Sequence, residues 1–287
     1  MEENSTCPVP EGILMLIGGK ESKDGEPPKN HEIPEGYDPL TIMKTFTGLI
    51  ENKDAGVEVI TSGSSEDVEG TFNEYRKIFN QLGIAKVNHV HHERRGDITD
   101  DFVERIRNTG AVFFAGGDQL TLTALYGGTE FLKELKERYI RERIVIAGTS
   151  AGAMAMSTPM IYAGSKEVEQ LGGEIKVTTG LEFLKDVCVD THFVHRGRFV
   201  RMAQVLATNP TCVGVGIDED SAMIVQNGTD AEMVGSGIII VLEGFNIAYT
   251  NIDQAGKKQP VSIRDITVHL LAQGDKYKIP QMNPPHQ

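Results

Sequence analysis

Four short apolar runs punctuate the first half of the chain: Ile13-Leu14-Met15-Leu16-Ile17, Val57-Glu58-Val59-Ile60, Ala111-Val112-Phe113-Phe114-Ala115 and Ile144-Val145-Ile146-Ala147. Between them, residues 40–51, 68–82, 98–108 and 120–141 carry the apolar spacing of amphipathic helices. Unbroken apolar strands alternating with helices of this length predict a wound α/β fold, with a mostly parallel sheet flanked by helices. Such sheets present reactive residues in the loops at the carboxyl ends of their strands. Gly18-Gly19, Gly116-Gly117 and Gly148 each follow one of the runs directly. The pattern therefore predicts one site assembled from three loops.

Beyond about residue 175 the pattern changes. Val187-Cys188-Val189 and Val213-Gly214-Val215-Gly216-Ile217 are expected strands with a helix near 198–207 between them, and 222–225 with 238–242 read as a hairpin-like β ending. Residues 22–38, SKDGEPPKNHEIPEGYD, form a polar Pro/Gly-rich loop, and 274–287 an extended tail. With no repeat and no dividing linker, residues 1–287 are expected to form one domain.

Charge narrows the function. A net charge of −13 opposes binding to a nucleic-acid backbone, which needs clustered Lys and Arg, whereas an acidic surface attracts cations such as guanidinium groups. No apolar run approaches the roughly 18–20 residues of a membrane span. The acidic N-terminus MEENSTCPVPEG lacks the layout of a secretory signal. Cys7, Cys188 and Cys212 show no disulfide or zinc spacing. The expectation is a cytoplasmic protein without metal.

Gly148-Thr149-Ser150-Ala151-Gly152 fits G-x-S-x-G, between a strand and the apolar helix start Ala153-Met154-Ala155-Met156. That is the setting of a nucleophile elbow. The serine occupies a tight strand-to-helix turn that lifts its hydroxyl clear, and its neighbours must be small because strand and helix nearly touch. The Ala151 N–H would then stand at a helix start, able to stabilise an oxyanion. The plainer reading makes Ser150 a helix cap.

A serine hydroxyl needs a base to take its proton and a third group to orient that base. His31 and His286 lie in loops, and His269 sits in an alternating strand-like stretch. His89, His91 and His92 in NHVHHERR have no acidic or cysteine ligands at a metal spacing and read as a solvated strand end. His195 is a possible base. His192, directly after the strand Val187-Cys188-Val189, is the stronger candidate. Asp218-Glu219-Asp220 follows the strand ending at Ile217, so one of these carboxylates can reach the imidazole; position does not say which.

GTSAGA, DTHFVHRGRFVR and GVGIDED, with IGGKES near the start and AGGDQLTL in the middle, together resemble the cyanophycinases. These are serine hydrolases of the peptidase family that also holds the aspartyl dipeptidases. The resemblance runs from about Leu14 to Ile240. It implies a three-layer fold like the class I glutamine amidotransferases and flavodoxins, no cofactor, and a homodimer. It implies Ser150 as nucleophile, His192 as base and then acid, and Glu219 as the orienting carboxylate. The order Ser…His…Glu differs from that of α/β-hydrolases. The oxyanion hole would combine the N–H groups of Ala151 and Gly117. Asp118, Gln119, Asp190, Arg196, Arg198 and Arg201 match pocket positions of the family, whereas Thr191 stands where a glutamine is expected.

The implied substrate is cyanophycin, a poly-aspartate with arginine on each β-carboxyl, or its β-aspartyl peptides. Arginines that fork onto carboxylates suit it, with Asp190 and the acidic surface for the guanidinium groups. Two rivals are an α-aspartyl dipeptidase, with its acid nearer Glu167 or Glu169, and a catalytically silent peptide-binding protein. A Cys-dependent amidotransferase is disfavoured by serine at the nucleophile position.

Overall fold

The computed structural model describes residues 8–28, 33–164, 171–253 and 259–281. Its first half runs β1 (Ile13–Ile17), α1 (Thr41–Leu49), β2 (Val57–Ile60), α2 (Val68–Gln81), β3 (Val87–Val90), α3 (Asp100–Asn108), β4 (Ala111–Phe114), α4 (Gln119–Tyr126), α5 (Glu130–Arg141), β5 (Val145–Thr149) and α6 (Ala151–Ala155). Next come β6 (Ser157–Thr158), β7 (Met160–Ala163), β8 (Lys176–Thr178), β9 (Leu184–Lys185), β10 (Val187–Thr191), α7 (Phe199–Thr208) and β11 (Val213–Ile217). The chain closes with β12 (Ser221–Gln226), β13 (Asp230–Gly235), β14 (Ile239–Glu243), β15 (Tyr249–Thr250), β16 (Ile263–Arg264), β17 (Thr267–Leu271) and β18 (Lys276–Lys278).

Two sheets carry the architecture. The larger has the order β18-β13-β12-β1-β5-β4-β2-β3; β1, β5, β4, β2 and β3 are parallel, and β12, β13 and β18 form an antiparallel wing. The smaller, β17-β14-β11-β10-β6-β9, has β10 and β11 parallel at its centre. The parallel core arises because its strands have no polar face to give to water. In β1, Leu14 and Leu16 enter one apolar cluster and Ile13, Met15 and Ile17 the other, all at most 1% exposed. Burying each such side chain contributes about 1.5–3 kcal/mol. Helices α1 and α2 cover one face through Phe46, Tyr75 and Phe79. Helices α3 to α6 cover the other, together with Val189, Val215 and Val241 of the smaller sheet. Helix α7 closes the far side of that sheet with Met202, Val205 and Leu206.

The structure revises three expectations. The single helix over 120–141 is two, because Gly127 and the left-handed Gly128 (φ +70°) end α4 and Thr129 caps α5. The segments 222–225 and 238–242 do not form a hairpin: β12 pairs with β1 and β13, and β14 pairs with β11 and β17 in the other sheet. The tail is docked over 276–278 as an edge strand on β13, while 282–287 lie outside the described residues. Among the described residues no helix is long and apolar enough to cross a membrane.

The consequence for function is geometric. The carboxyl ends of the two parallel cores meet at Gly18-Gly19, just after β1. Gly18 accepts the His192 N–H (3.0 Å) and donates to the Ser221 carbonyl (2.9 Å), and Gly19 accepts the Asp220 N–H (2.9 Å).

Candidate active site

Ser150 sits between β5 and α6 with φ +51° and ψ −117°, a conformation that costs a non-glycine residue about 1–3 kcal/mol. The surroundings enforce it. Its N–H donates to the Ile17 carbonyl (2.9 Å), and its carbonyl accepts from Ala153 and Met154 (3.0 and 3.1 Å). A Cβ on Gly148 would lie 2.5 Å from the Gly152 carbonyl carbon, and one on Gly152 would lie 2.3 Å from the Phe114 oxygen. Strand and helix touch, as the small residues imply. Ser150 makes no side-chain capping bond to the helix, so the plainer cap reading does not hold.

Ser150 Oγ lies 3.0 Å from His192 Nε2, and His192 Nδ1 lies 2.7 Å from Glu219 Oε1. Gly19 (φ +101°) lies against the imidazole; a Cβ there would stand 2.5 Å from Cε1. The three neighbouring acids are sorted by their bonds. Asp218 Oδ1 accepts the N–H groups of Val194 and His195 (3.1 and 3.2 Å), the Ser236 hydroxyl donates to Asp220 Oδ2, and Glu219 alone among the three hydrogen-bonds the His192 ring. His195 faces Asp218 and the second Glu219 oxygen (3.5 and 3.6 Å), on the carboxylate side of the relay. Burial holds the His192 pKa below the ordinary imidazole value; Glu219 opposes this, and the charges of Arg196 and Arg198 reinforce it.

Ser150, Gly117, Ala151 and Gln119 line one cleft of ≈ 380 Å³ with Thr191, Arg196, Arg198 and Arg201. Gly117 has φ +137°, and a Cβ on it would fall 2.0 Å from the Gly63 oxygen, so no other residue fits. A larger cavity, ≈ 1080 Å³, runs along α5 and contains none of these groups. Gln119 Nε2 donates to the Ile161 carbonyl (2.8 Å), which fixes its amide at the cleft wall.

Two of the expected pocket residues are engaged by this chain itself. Asp118 caps α4, accepting from Leu120 N–H and the Thr121 hydroxyl (both 2.9 Å), and is not in the cleft wall. Asp190 is fully buried and holds this chain's own arginines. Its Oδ2 accepts from Arg201 Nε (2.6 Å), and its Oδ1 accepts from Arg198 Nη1 (2.9 Å) and from Arg201 Nη2. Asp190 is thus turned to this chain's own arginines and does not line the cleft. Arg198 also donates to the Thr191 carbonyl (2.6 Å), and burial pushes its pKa down to about 10. Arg196 is exposed and has no ion-pair partner among the described residues, so the cleft keeps a net positive charge. Thr191 is fully buried, and its hydroxyl has no hydrogen-bond partner.

Sequence reasoning missed Glu21. Buried behind the elbow, it accepts from the Thr149 hydroxyl (2.8 Å) and the Tyr75 hydroxyl (2.6 Å). The motif IGGKES that carries part of the resemblance contains it, but only as sequence; its bonds to Thr149 and Tyr75 bring together residues far apart in the chain. The NHVHHERR histidines are not a solvated strand end either: His89 stacks on Phe72 (4.2 Å), His89 and His91 share the Thr61 hydroxyl, and His92 is buried. Among the described residues no group of three or more His, Cys, Asp or Glu side chains could hold a metal. Glu167, Glu169, Cys7, His31 and His286 lie outside the described residues.

The sequence model of peptidase family S51 matches residues 36–233. The chain belongs to peptidase family S51. It is a serine-type peptidase, and the silent-binder rival falls with that assignment. It is 30% identical to the cyanophycinase of Synechococcus elongatus over 270 residues, covering 93% of this chain and 79% of that protein. It is also 30% identical to the cyanophycinase of Geminocystis herdmanii (strain PCC 6308) over 267 residues, covering 92% of each. The solved structure of a peptidase from an acI-B1 Actinobacterium superposes with a TM-score of 0.66 at 21% identity, covering 95% of this chain and 98% of that one. The flavodoxin-like three-layer α/β fold expected from the sequence is the fold of this peptidase.

Proposed function

We propose that this peptidase cleaves cyanophycin to β-aspartyl-arginine dipeptides through an acyl-enzyme, with Ser150 as nucleophile, His192 as general base and then acid, and Glu219 as the carboxylate that orients it. The observation carrying the proposal is the unbroken contact Ser150 Oγ–His192 Nε2–Glu219 Oε1, at 3.0 and 2.7 Å. In the reaction Ser150 Oγ attacks an aspartyl carbonyl carbon while its proton passes to His192 Nε2. The carbonyl oxygen becomes an oxyanion, held by the N–H groups of Gly117 and Ala151, each contributing about 3–4 kcal/mol to the barrier reduction. Collapse of the tetrahedral adduct breaks the C–N bond, and His192 returns its proton to the leaving amine. Water, activated by the same imidazole, then releases the aspartyl product and restores Ser150.

A protonated His192 cannot accept the serine proton, so its lowered pKa favours the reactive form at neutral pH. The exposed guanidinium of Arg196, with the open edge of Arg198, suits the arginyl α-carboxylates of the polymer. Thr191, with its unpartnered hydroxyl, and Gln119 would add polar contacts. The reading requires no metal or organic cofactor and includes a homodimer and a cytoplasmic location.

The deciding experiment incubates the purified protein with cyanophycin granules. Clearing with release of β-Asp-Arg is expected, and Ser150→Ala is expected to lower the rate by about 10³-fold or more while remaining folded. An undiminished rate in Ser150→Ala would overturn the mechanism. Intact granules alongside rapid hydrolysis of α-Asp-X dipeptides would instead select the dipeptidase activity.

A further inference from the structure

We propose that a buried hydrogen-bonded ring of Ser62, Tyr126 and His92 positions the Gly117 loop, and so sets the geometry in which the Gly117 N–H meets the developing oxyanion; this rests on the role of Gly117 argued above. The ring closes on itself. The His92 backbone N–H donates to Ser62 Oγ (2.9 Å), Ser62 Oγ contacts the Tyr126 hydroxyl (2.7 Å), and that hydroxyl contacts His92 Nδ1 (3.0 Å). Tyr126 is fully buried, and Ser62 and His92 are at most 9% exposed. With Nδ1 unprotonated the protons run one way round: Ser62 O–H to Tyr126, Tyr126 O–H to Nδ1. Every donor is used once, which is the condition for a buried polar group to stabilise rather than cost.

The connection to the reacting atoms is short. The Gly63 carbonyl, one residue after Ser62, accepts the Asp118 N–H (2.8 Å). Gly63 also packs on α4, where an added Cβ would lie 3.1 Å from Leu122 Cγ. Gly117 passes so near that its own Cβ would overlap the Gly63 oxygen. The loop 116–118 is therefore held at one side by Gly63 and continues at the other into α4, which begins at Gln119 and ends at Tyr126. The Ser62–Tyr126 contact ties those two supports to each other. Glycine adopts the Gly117 backbone (φ +137°) without cost, so the position of its N–H is set by these surroundings. Nothing in the ring touches Ser150, His192 or substrate, so these are positioning residues.

The test uses the full chain with Tyr126→Phe, and measures kcat and KM on a chromogenic α-anilide of aspartate whose β-carboxyl carries arginine. Affinity is measured for two probes: an aspartyl analogue with a boronic acid in place of the α-carboxyl, whose anionic oxygen enters the hole, and the α-carboxamide of β-Asp-Arg, which is neutral at that carbon. The expected result is a drop in kcat of about 10- to 100-fold, the scale of a misplaced catalytic group. Boronate affinity should fall by the same factor, while KM and carboxamide affinity stay within about twofold. Ser62→Ala should show the same split, and Ser62→Thr, which keeps the hydroxyl, should regain most of the lost kcat. Unchanged kcat in a folded Tyr126→Phe, or a parallel loss of carboxamide affinity, would overturn the proposal. Should Tyr126→Phe be recovered only unfolded, undiminished kcat in Ser62→Ala does the same. A failure of the underlying reading is separate and visible: Ser150→Ala would then retain activity and boronate binding.

Discussion

His192 illustrates how one residue's chemistry is set by neighbours that the chain delivers from far away. Its burial and the positive charges of Arg196 and Arg198 disfavour the imidazolium, and Glu219 favours it. Because the base must be neutral, the acid limb of kcat/KM should fall below the ordinary imidazole range near 6.5. Arg196→Gln removes a charge that depresses this pKa, so the limb should move to higher pH; a limb that stays in place would refute the assignment. At this scale the strand-end positions of Ser150 and His192 were legible because apolar runs end visibly in small or polar residues. Position alone left the choice among Asp218, Glu219 and Asp220 open, since adjacent side chains point in different directions; the family resemblance pointed to Glu219, which is the one packed against the His192 ring. Asp190 misled for a related reason: a carboxylate beside a cleft in sequence terms proved to be buried under two guanidinium groups.

Between elements, the Asp190 pairs clamp β10 to α7 and to the turn before it. Removing one partner of a buried ion pair leaves an uncompensated charge, costing about 3–5 kcal/mol. Asp190→Asn is therefore expected to destabilise the protein on that scale in guanidinium chloride unfolding. Lost substrate affinity at full stability would mean that Asp190 serves the ligand instead of the fold. The close approach of β5 and α6 could be read from Gly148, Ala151 and Gly152, because only small side chains permit it. The division between α4 and α5 was written in Gly127-Gly128, yet the apolar spacing continues through it and masks the break. The antiparallel wing was misassigned because β12 and β14 look alike in composition, and their partners are chosen by long-range packing.

Across the molecule, strands of both sheets feed one apolar cluster: Leu16 and Ile146 from the larger, Val189, Val215 and Val241 from the smaller. Both cores also share the Gly18-Gly19 turn. Residues 1–287 are accordingly expected to unfold as one domain, in a single cooperative transition seen alike by far- and near-ultraviolet circular dichroism. Two resolved transitions would argue for separable units. Local patterns of apolarity and small residues were enough to specify a wound α/β chain with an elbow at Ser150, because those patterns act over a few residues. The arginine clamp on Asp190, the bonds of the buried Glu21 and the ring behind Gly117 required the folded chain. Each joins groups far apart in sequence, and such contacts are selected by the packing of whole sheets and helices, which no local pattern encodes.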